Sequence, residues 1–324
     1  MSKHLIIDAM NVFIRSFTVV PTMDVNGDHV GGTTGFMLTL NKLVREIQPD
    51  KVYVIWDGEG GSWKRRSIYK DYKAGRKMCV NREYDFEDPE DNMRSIRRQT
   101  KLTKELLSNL PVTQMTVSGV EADDVIAYLW RHSLPQESKK IIVSTDKDYY
   151  QLLNTKTIIY NPAKKKFYTC LDLQDEMKIL PENFIFMKAI IGDKSDNIPG
   201  IRGIGVKTVI KLFPFLTERL VDEKDIFDYC EANKNEKSKY ELVLNSRKLV
   251  IDNIKLMQLS SPFMDPSASR TIRESLDNSV PMYKPTNLRL ALTRDGLQIK
   301  ASDFFIIFKE QFHRSTKKQE KINE

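Results

Sequence analysis

Nine carboxylates recur in this chain where short apolar runs stop or start. "LIID" ends at Asp8, "VYVIWD" ends at Asp57, and "IIVSTDKD" carries Asp146 and Asp148. "GVEADDVIAYLW" supplies Glu121, Asp123 and Asp124 at the opening of an apolar-periodic stretch, and "GDKSDNIPG" supplies Asp193 and Asp196. Each alone has an ordinary explanation, because Asp starts turns after strands and acidic residues cap helices. Brought together they would repel, and such a cluster stays ionised only where cations neutralise it. Oxygen donors without His or Cys suit Mg²⁺ or Mn²⁺ rather than zinc. Two such ions ~4 Å apart would suit in-line displacement at a phosphodiester, activating a water and stabilising the leaving oxygen.

Beyond Asp196 the segment "NIPGIRGIGVKT" places Gly200, Gly203 and Gly205 ahead of Lys207, a spacing that lets backbone approach a partner closely. Gly200 and Gly205 have the G-x-x-x-x-G spacing of a P-loop, but Val206 follows where that motif needs Lys, and no strand precedes it. A second unusual segment is "SWKRRSIYKDYKAGRK" (62–77), basic with interleaved aromatics, followed by the acidic "REYDFEDPEDN" (82–92). It is too long for an ordinary connection, which marks a functional or mobile insertion.

The elements that must position these groups are legible in the hydrophobic pattern. The apolar runs ending in aspartate read as buried parallel strands, and "TGFMLTLNKLVREI" and "RSIRRQTKLTKELLSNL" as crossover helices. Ligands of such sheets bind at the carboxyl ends of the strands, which would bring the acids to one edge. Glu121 and Asp124 would share a helix face, and Asp146 and Asp148 would project to one side of extended chain. Past a boundary near residue 180 the pattern turns helical in "PENFIFMKAIIG", "VKTVIKLF" and "SKYELVLNSRKLVI", with "DFFIIF" the remaining strand candidate. The polar end, "RSTKKQEKINE", is expected to be disordered.

Composition narrows the class. The 324 residues carry 51 Lys and Arg against 44 Asp and Glu, a formal charge of +7 that favours a polyanionic partner. Cys79, Cys170 and Cys230 are far apart, forming neither a C-x-x-C pair nor a disulfide scaffold, as expected of thiols in a reducing compartment. The start, "MSKHLIIDAMN", shows no signal-peptide pattern, and no apolar run nears the ~20 residues of a membrane span, so a cytoplasmic location is expected.

In order, "LIIDAMN" with Arg15, "GVEADD", "STDKD" followed by "YYQLL", and "GDKSDNIPGIRGIGVKT" resemble the 5′ nuclease (flap endonuclease) superfamily. Its prokaryotic and phage branch is the nearest: polymerase I 5′-nuclease domains, phage 5′-to-3′ exonucleases and phage ribonuclease H. The resemblance runs to about residue 213. It implies an α/β fold with a mostly parallel central sheet flanked by helices, PIN-like, over 1–180, including an arch insertion at about 62–100. A mainly helical DNA-binding region over 181–324 would contain a helix-hairpin-helix at about 190–215 and the disordered tail at 314–324.

The same resemblance implies a 5′-to-3′ exonuclease or flap endonuclease with ribonuclease H activity. It would act near 5′ ends of branched or nicked DNA and RNA/DNA hybrids, leaving 5′-phosphates, and would remove RNA primers in phage replication. The nine acids match the metal carboxylates, with Asp8, Asp57, Glu121, Asp123 and Asp124 at one ion and Asp146, Asp148, Asp193 and Asp196 at the second. Lys73 and Arg76 match residues that address the scissile phosphate. Nucleic-acid contacts would come from Arg15, Arg65, Arg66 and Tyr72, with Trp63 and Tyr69 as further stacking platforms, and from Gly200, Arg202, Gly203, Gly205, Lys207 and Thr208 in the hairpin. Two Mg²⁺, replaceable by Mn²⁺, would serve catalysis, and K⁺ would sit at the hairpin. A monomer is expected, with a replication clamp or single-strand DNA-binding protein as partner, in the host cytoplasm if phage-encoded. Ala9, where the family favours glycine, and the acidic stretch Glu83 to Asp91 depart from the pattern. The competing readings are a catalytically idle, structure-specific DNA-binding protein and a PIN-type ribonuclease.

Overall fold

A computed structural model of the chain describes residues 1–75, 89–279 and 282–323. Its six strands are β1 (Lys3–Asp8), β2 (Lys51–Trp56), β3 (Thr113–Thr116), β4 (Lys139–Val143), β5 (Thr157–Asn161) and β6 (Lys166–Tyr168), in the order β3-β2-β1-β4-β5-β6. All neighbours are parallel except β5 and β6. Continuous runs such as "LII" and "VYVI" form strands because both sheet faces are covered, leaving Leu5, Ile6, Ile7, Val54 and Ile55 essentially without solvent contact. In register, Asp8 lies opposite Ile55 and Ile7 opposite Val143, so β1, β2 and β4 end nearly level. The strand order reverses at β1, which opens a crevice at the carboxyl ends of β1 and β4.

Early helices feed both faces: α1 (Ala9–Val19), α2 (Gly31–Ile47), the short α3 (Trp63–Ile68), α4 (Pro89–Leu107) and α5 (Ala122–Tyr128), which a π turn extends to Ser133. There follow α6 (Cys170–Met177), α7 (Phe184–Ile191), α8 (Val206–Leu212), α9 (Glu223–Asn233), α10 (Ser238–Asn245), α11 (Arg247–Met257), α12 (Pro266–Asp277), α13 (Pro285–Arg294) and α14 (Ser302–Asn323). One apolar cluster joins Leu5, Ile7, Val52 and Val54 to α1, α2, α4, α13 and α14. The other joins Ile6, Ile55 and Ile142 to α5 and, across residue 180, to α7 and α11.

Two expectations change. "DFFIIF" is helical, because Phe304 and Phe308, four apart, both enter the core beside the sheet. The expected disordered end continues α14 to Asn323, with Ser315 buried and its hydroxyl donating to the Asp50 carbonyl at 2.5 Å. "SKYELVLNSRKLVI" is helical as expected, in two helices that meet at Ser246. The acidic stretch from Glu83 lies outside the described residues as far as position 88; from Pro89 onward it opens α4. Among the described residues no helix is long and apolar enough to cross a membrane.

Candidate active site

Asp8 ends β1 and caps α1, accepting the Asn11 amide at 3.3 Å. Its second oxygen accepts from Ser144 Oγ at 3.0 Å and Tyr149 OH at 3.2 Å. Burial, then the charges of Asp57 and Asp146, push its carboxyl up to about 8. Asp57, just past β2, accepts the Ala122 amide at 2.9 Å and so fixes the start of α5 beside the strand end. Asp146 caps a 3₁₀ turn over Lys147–Leu152 by accepting the Asp148 amide at 2.8 Å, so these two acids share a cap rather than one side of an extended strand.

At the head of α5, carboxylate oxygens of Glu121, Asp123 and Asp124 come within 4.8 Å of one another. The charge is met by Arg65 of α3: Nη1 donates to Glu121 Oε2 at 2.5 Å and Asp124 Oδ2 at 2.6 Å, and Nη2 approaches Asp123 at 3.4 Å. Its Nε donates to the Leu256 carbonyl of α11 at 2.8 Å, and the side chain is 2% exposed. Arg65 is therefore no surface contact for nucleic acid, in contrast to the expectation from its basic run; Arg66 beside it is exposed. Tyr72 is likewise buried, with its hydroxyl donating to Glu121 at 3.1 Å, which removes it as a stacking platform.

Lys73 follows at a left-handed backbone angle, φ +56°, with its amide donating to the Asp196 carbonyl at 2.8 Å and its Nζ to Glu121 Oε1 at 2.5 Å. It joins Arg15, Asp8, Asp57, Glu121, Asp123 and Asp146 around a cleft of about 560 Å³. Asp146 thus faces the same cleft as four of the acids assigned to the first ion. Arg76 lies outside the described residues.

Asp148 and Asp193 are gathered by a residue the sequence reading passed over. Lys188 of α7 lies 2.7 Å from Asp148 and also binds Asp193, and it is buried. Burial pushes Asp148 up to about 8 against the pull of Lys188. Burial acts on Asp193 too, but Lys188 and Ser195 bring its carboxyl below the ordinary range. The signal was a lone lysine inside the apolar run "FIFMKAII". Asp193 also accepts the Ser195 amide at 2.7 Å and opens the loop from α7 to α8. That loop exposes Arg202, Gly203 and Gly205, with Lys207 exposed on α8. Gly203 has φ +83°, and a side chain at Gly200 would collide with the Ile191 carbonyl. Thr208 is half-buried in the first turn of α8.

The donor set suits a hard divalent cation. Five carboxylates face the cleft, and the crowding of Asp57 and Asp146 on Asp8 adds to the effect of burial a repulsion that a cation would relieve.

Residues 3–178 match the family profile described as the 5′-3′ exonuclease, N-terminal resolvase-like domain. The flap endonuclease Xni of Shewanella sp. (strain MR-4) is 32% identical over 215 residues, 65% of this chain and 75% of that protein. The 5′-3′ exonuclease of Aquifex aeolicus is 31% identical over 213 residues, 65% of this chain and 69% of its own length. DNA polymerase I of Thermus thermophilus is 32% identical over 211 residues, but only 24% of its length is matched, so the chain spans about a quarter of the polymerase relatives it resembles. Among solved structures, the bacteriophage T5 flap endonuclease in complex with DNA and metal ions superposes with a TM-score of 0.68 at 20% identity, over 86% of this chain and 99% of that one. Flap endonuclease-1 from Methanococcus jannaschii gives 0.55 at 14% identity, over 98% and 94%. These likenesses show a shared fold.

Proposed function

The chain belongs to the 5′-3′ exonuclease family, and from that premise we propose that it is a divalent-metal-dependent 5′ nuclease hydrolysing phosphodiesters near the 5′ ends of nicked, flapped or RNA-primed duplexes. The observation that carries this reading is one cleft in which Asp8, Asp57 and Asp146 from three strand ends, with Glu121 and Asp123 from the head of α5, face Lys73 and Arg15.

Asp8, Asp57, Asp123 and Asp146, with Glu121, are the residues that would hold Mg²⁺, or Mn²⁺ in its place, and Asp148, Asp193 and Asp196 would take a second ion; Asp124 acts on the site through Arg65. The bound ion supplies Lewis acidity toward a phosphoryl oxygen and lowers the pKa of water. Lys73 and Arg15 supply fixed positive charge to the non-bridging oxygens of the phosphate, in a cleft whose buried walls strengthen that attraction. Arg76 is assigned with them. Tyr72 and Arg65 hold Glu121, and with it the wall on which Lys73 sits.

The α7–loop–α8 segment reads as a helix-hairpin-helix that receives duplex phosphates on Arg202, Lys207 and exposed loop backbone, with Arg66 adding charge and K⁺ seated in the loop. Binding would be governed by phosphates, salt-sensitive and indifferent to sequence. The enzyme would work as a cytoplasmic monomer beside a clamp or single-strand DNA-binding protein, removing RNA primers.

The test is cleavage of three matched 3′-labelled substrates in Mg²⁺ with EDTA controls: a DNA flap, a nick and an RNA primer on DNA. Short-step cleavage of the nick and hybrid is the expected result, a single cut at the flap junction would make the endonuclease activity dominant, and no metal-dependent cut on any would leave a DNA-binding protein. Asp146→Ala is expected to lose cleavage while keeping affinity for nicked duplex; full activity in that variant would overturn the metal assignment.

A further inference from the structure

The helix α14 is apolar on two sides. Phe304 and Phe308 enter the core, while Ile306 turns outward and, with half-buried Phe305 and Phe312 and with Leu290 of α13, lines a groove of about 690 Å³ between the two helices. Ile306 is 70% and Leu290 63% exposed. A surface helix needs one apolar stripe to seat it, so a second, open one marks an interaction surface.

The rim carries one sign of charge. Arg289, Lys309 and His313 border the groove, no carboxylate lines it, and among the described residues neither Arg289 nor Lys309 forms an ion pair. Its place in the fold separates it from catalysis. The Tyr283 hydroxyl, at the groove wall, donates to the Phe305 carbonyl at 2.7 Å, and the next residue, Lys284, donates to Asn109, just ahead of β3. Ser315 holds Asp50, just ahead of β2. The groove therefore lies toward the sheet edge where strands begin, whereas the carboxylates gather where strands end.

We propose that this groove is the docking site for an acidic amphipathic helix of a partner protein, whose large apolar side chains seat over Leu290, Phe305 and Ile306 while its Asp and Glu residues meet Arg289 and Lys309. Groove-between-helices recognition of this kind uses apolar anchors at i, i+3 or i+4 and i+7, and the unmatched positive rim selects the sign of the flanks. Single-stranded nucleic acid fits less well, because the most exposed floor residues are the aliphatic Ile306 and Leu290, which offer no stacking face.

The experiment uses the full chain and a fluorescein-labelled peptide of about four helical turns, with Leu and Phe at helical spacing among Glu and Asp, beside a twin carrying Lys in place of each acid. Saturable binding is expected for the acidic peptide alone. Ile306→Glu and Lys309→Glu, both at exposed positions, are each expected to weaken it by about tenfold or more and to leave cleavage of nicked duplex unchanged. Equal binding of the basic twin, indifference to Ile306→Glu, or no saturable binding would overturn the proposal. So would an oligonucleotide that displaces the peptide and itself loses affinity in Ile306→Glu, or a concentration-dependent dimer abolished by Ile306→Glu.

Discussion

Arg65 holds Asp124 with both arms of its guanidinium, Nη1 at 2.6 Å from Oδ2 and Nη2 at 3.2 Å from Oδ1, in a pair almost wholly withdrawn from water. Burial and the neighbouring Asp123 raise the Asp124 carboxyl, and Arg65 holds it to about 6. Removing the cation leaves buried carboxylates uncompensated, so Arg65→Met is expected to lower the stability of the metal-free protein by about 3–5 kcal/mol. Arg65→Lys keeps the charge but cannot fork, and should recover only part of the loss. Denaturant titration of the three proteins decides this; an unchanged midpoint in Arg65→Met would refute it.

Lys188 acts as a built-in cation for Asp148 and Asp193. In Lys188→Met those two carboxylates lose their partner, so the metal-free protein should melt earlier while added Mn²⁺ raises its melting temperature by more than it does for the parent. Differential scanning calorimetry with and without Mn²⁺ reads both effects. An equal metal-induced rise in the two proteins would show that the lysine and the ion do not serve the same carboxylates.

Metal-free stability should fall as pH rises from the ordinary carboxylate range toward about 8. Asp8 and Asp148 both stand near 8 in the folded protein, so between about 4 and 8 the folded state binds more protons than the unfolded one. Stability then declines with pH, by up to about 1.4 kcal/mol per unit for each such group, less where the groups share a proton. Asp193, held low, contributes with the opposite sign, but only at more acidic pH. Mg²⁺ should flatten the decline, because it competes with the protons for the same oxygens. Melting curves over this range, with EDTA and with Mg²⁺, give the two slopes, and parallel slopes would contradict the linkage.

Lys207→Ala should weaken binding to nicked duplex about equally for all sequences and reduce the log–log salt slope by about one. Gly203→Ala places a side chain at φ +83° in open space, so it should cost of order 1 kcal/mol of backbone strain and loosen the loop without a clash. Anisotropy titrations at several salt concentrations test both; a Lys207→Ala slope equal to the parent's would remove that lysine from the phosphate contacts.

The strand-end acids were legible because two signals coincide at each: a β-branched run that must be buried, and a charged residue that stops it. The head of α5 was legible for the same reason, an acidic triplet opening an apolar period. Arg65 was not, because "WKRRSIYK" has no periodicity to say which arginine turns inward; the packing of α3 against α11 decides it. Lys188 was visible as a charge in an apolar helix, yet its partners Asp148 and Asp193 come from two different turns that only the tertiary fold brings together. "DFFIIF" satisfies strand and helix patterns equally, and the pairing of Phe304 with Phe308 settles it. β3 and β6 are too brief to stand out, whereas β5, as long as β4, ends at Asn161 without an acid to mark it.

The backbone bonds around Lys73 also bear on how such chains diversify. Lys73 N–H binds Asp196, Asn197 binds the Asp71 carbonyl at 2.9 Å, and Arg65 binds Leu256, so the stem before Gly75 is pinned three times. After the insertion, α4 is pinned in turn by Gln99 to Gly32 and His29 and by Arg98 to Asp24. Neither set of anchors draws on residues 76–88. Lys73 is therefore placed by the same frame that holds the carboxylates, so the cation that would meet the phosphate and the acids that would hold the metal must be inherited together.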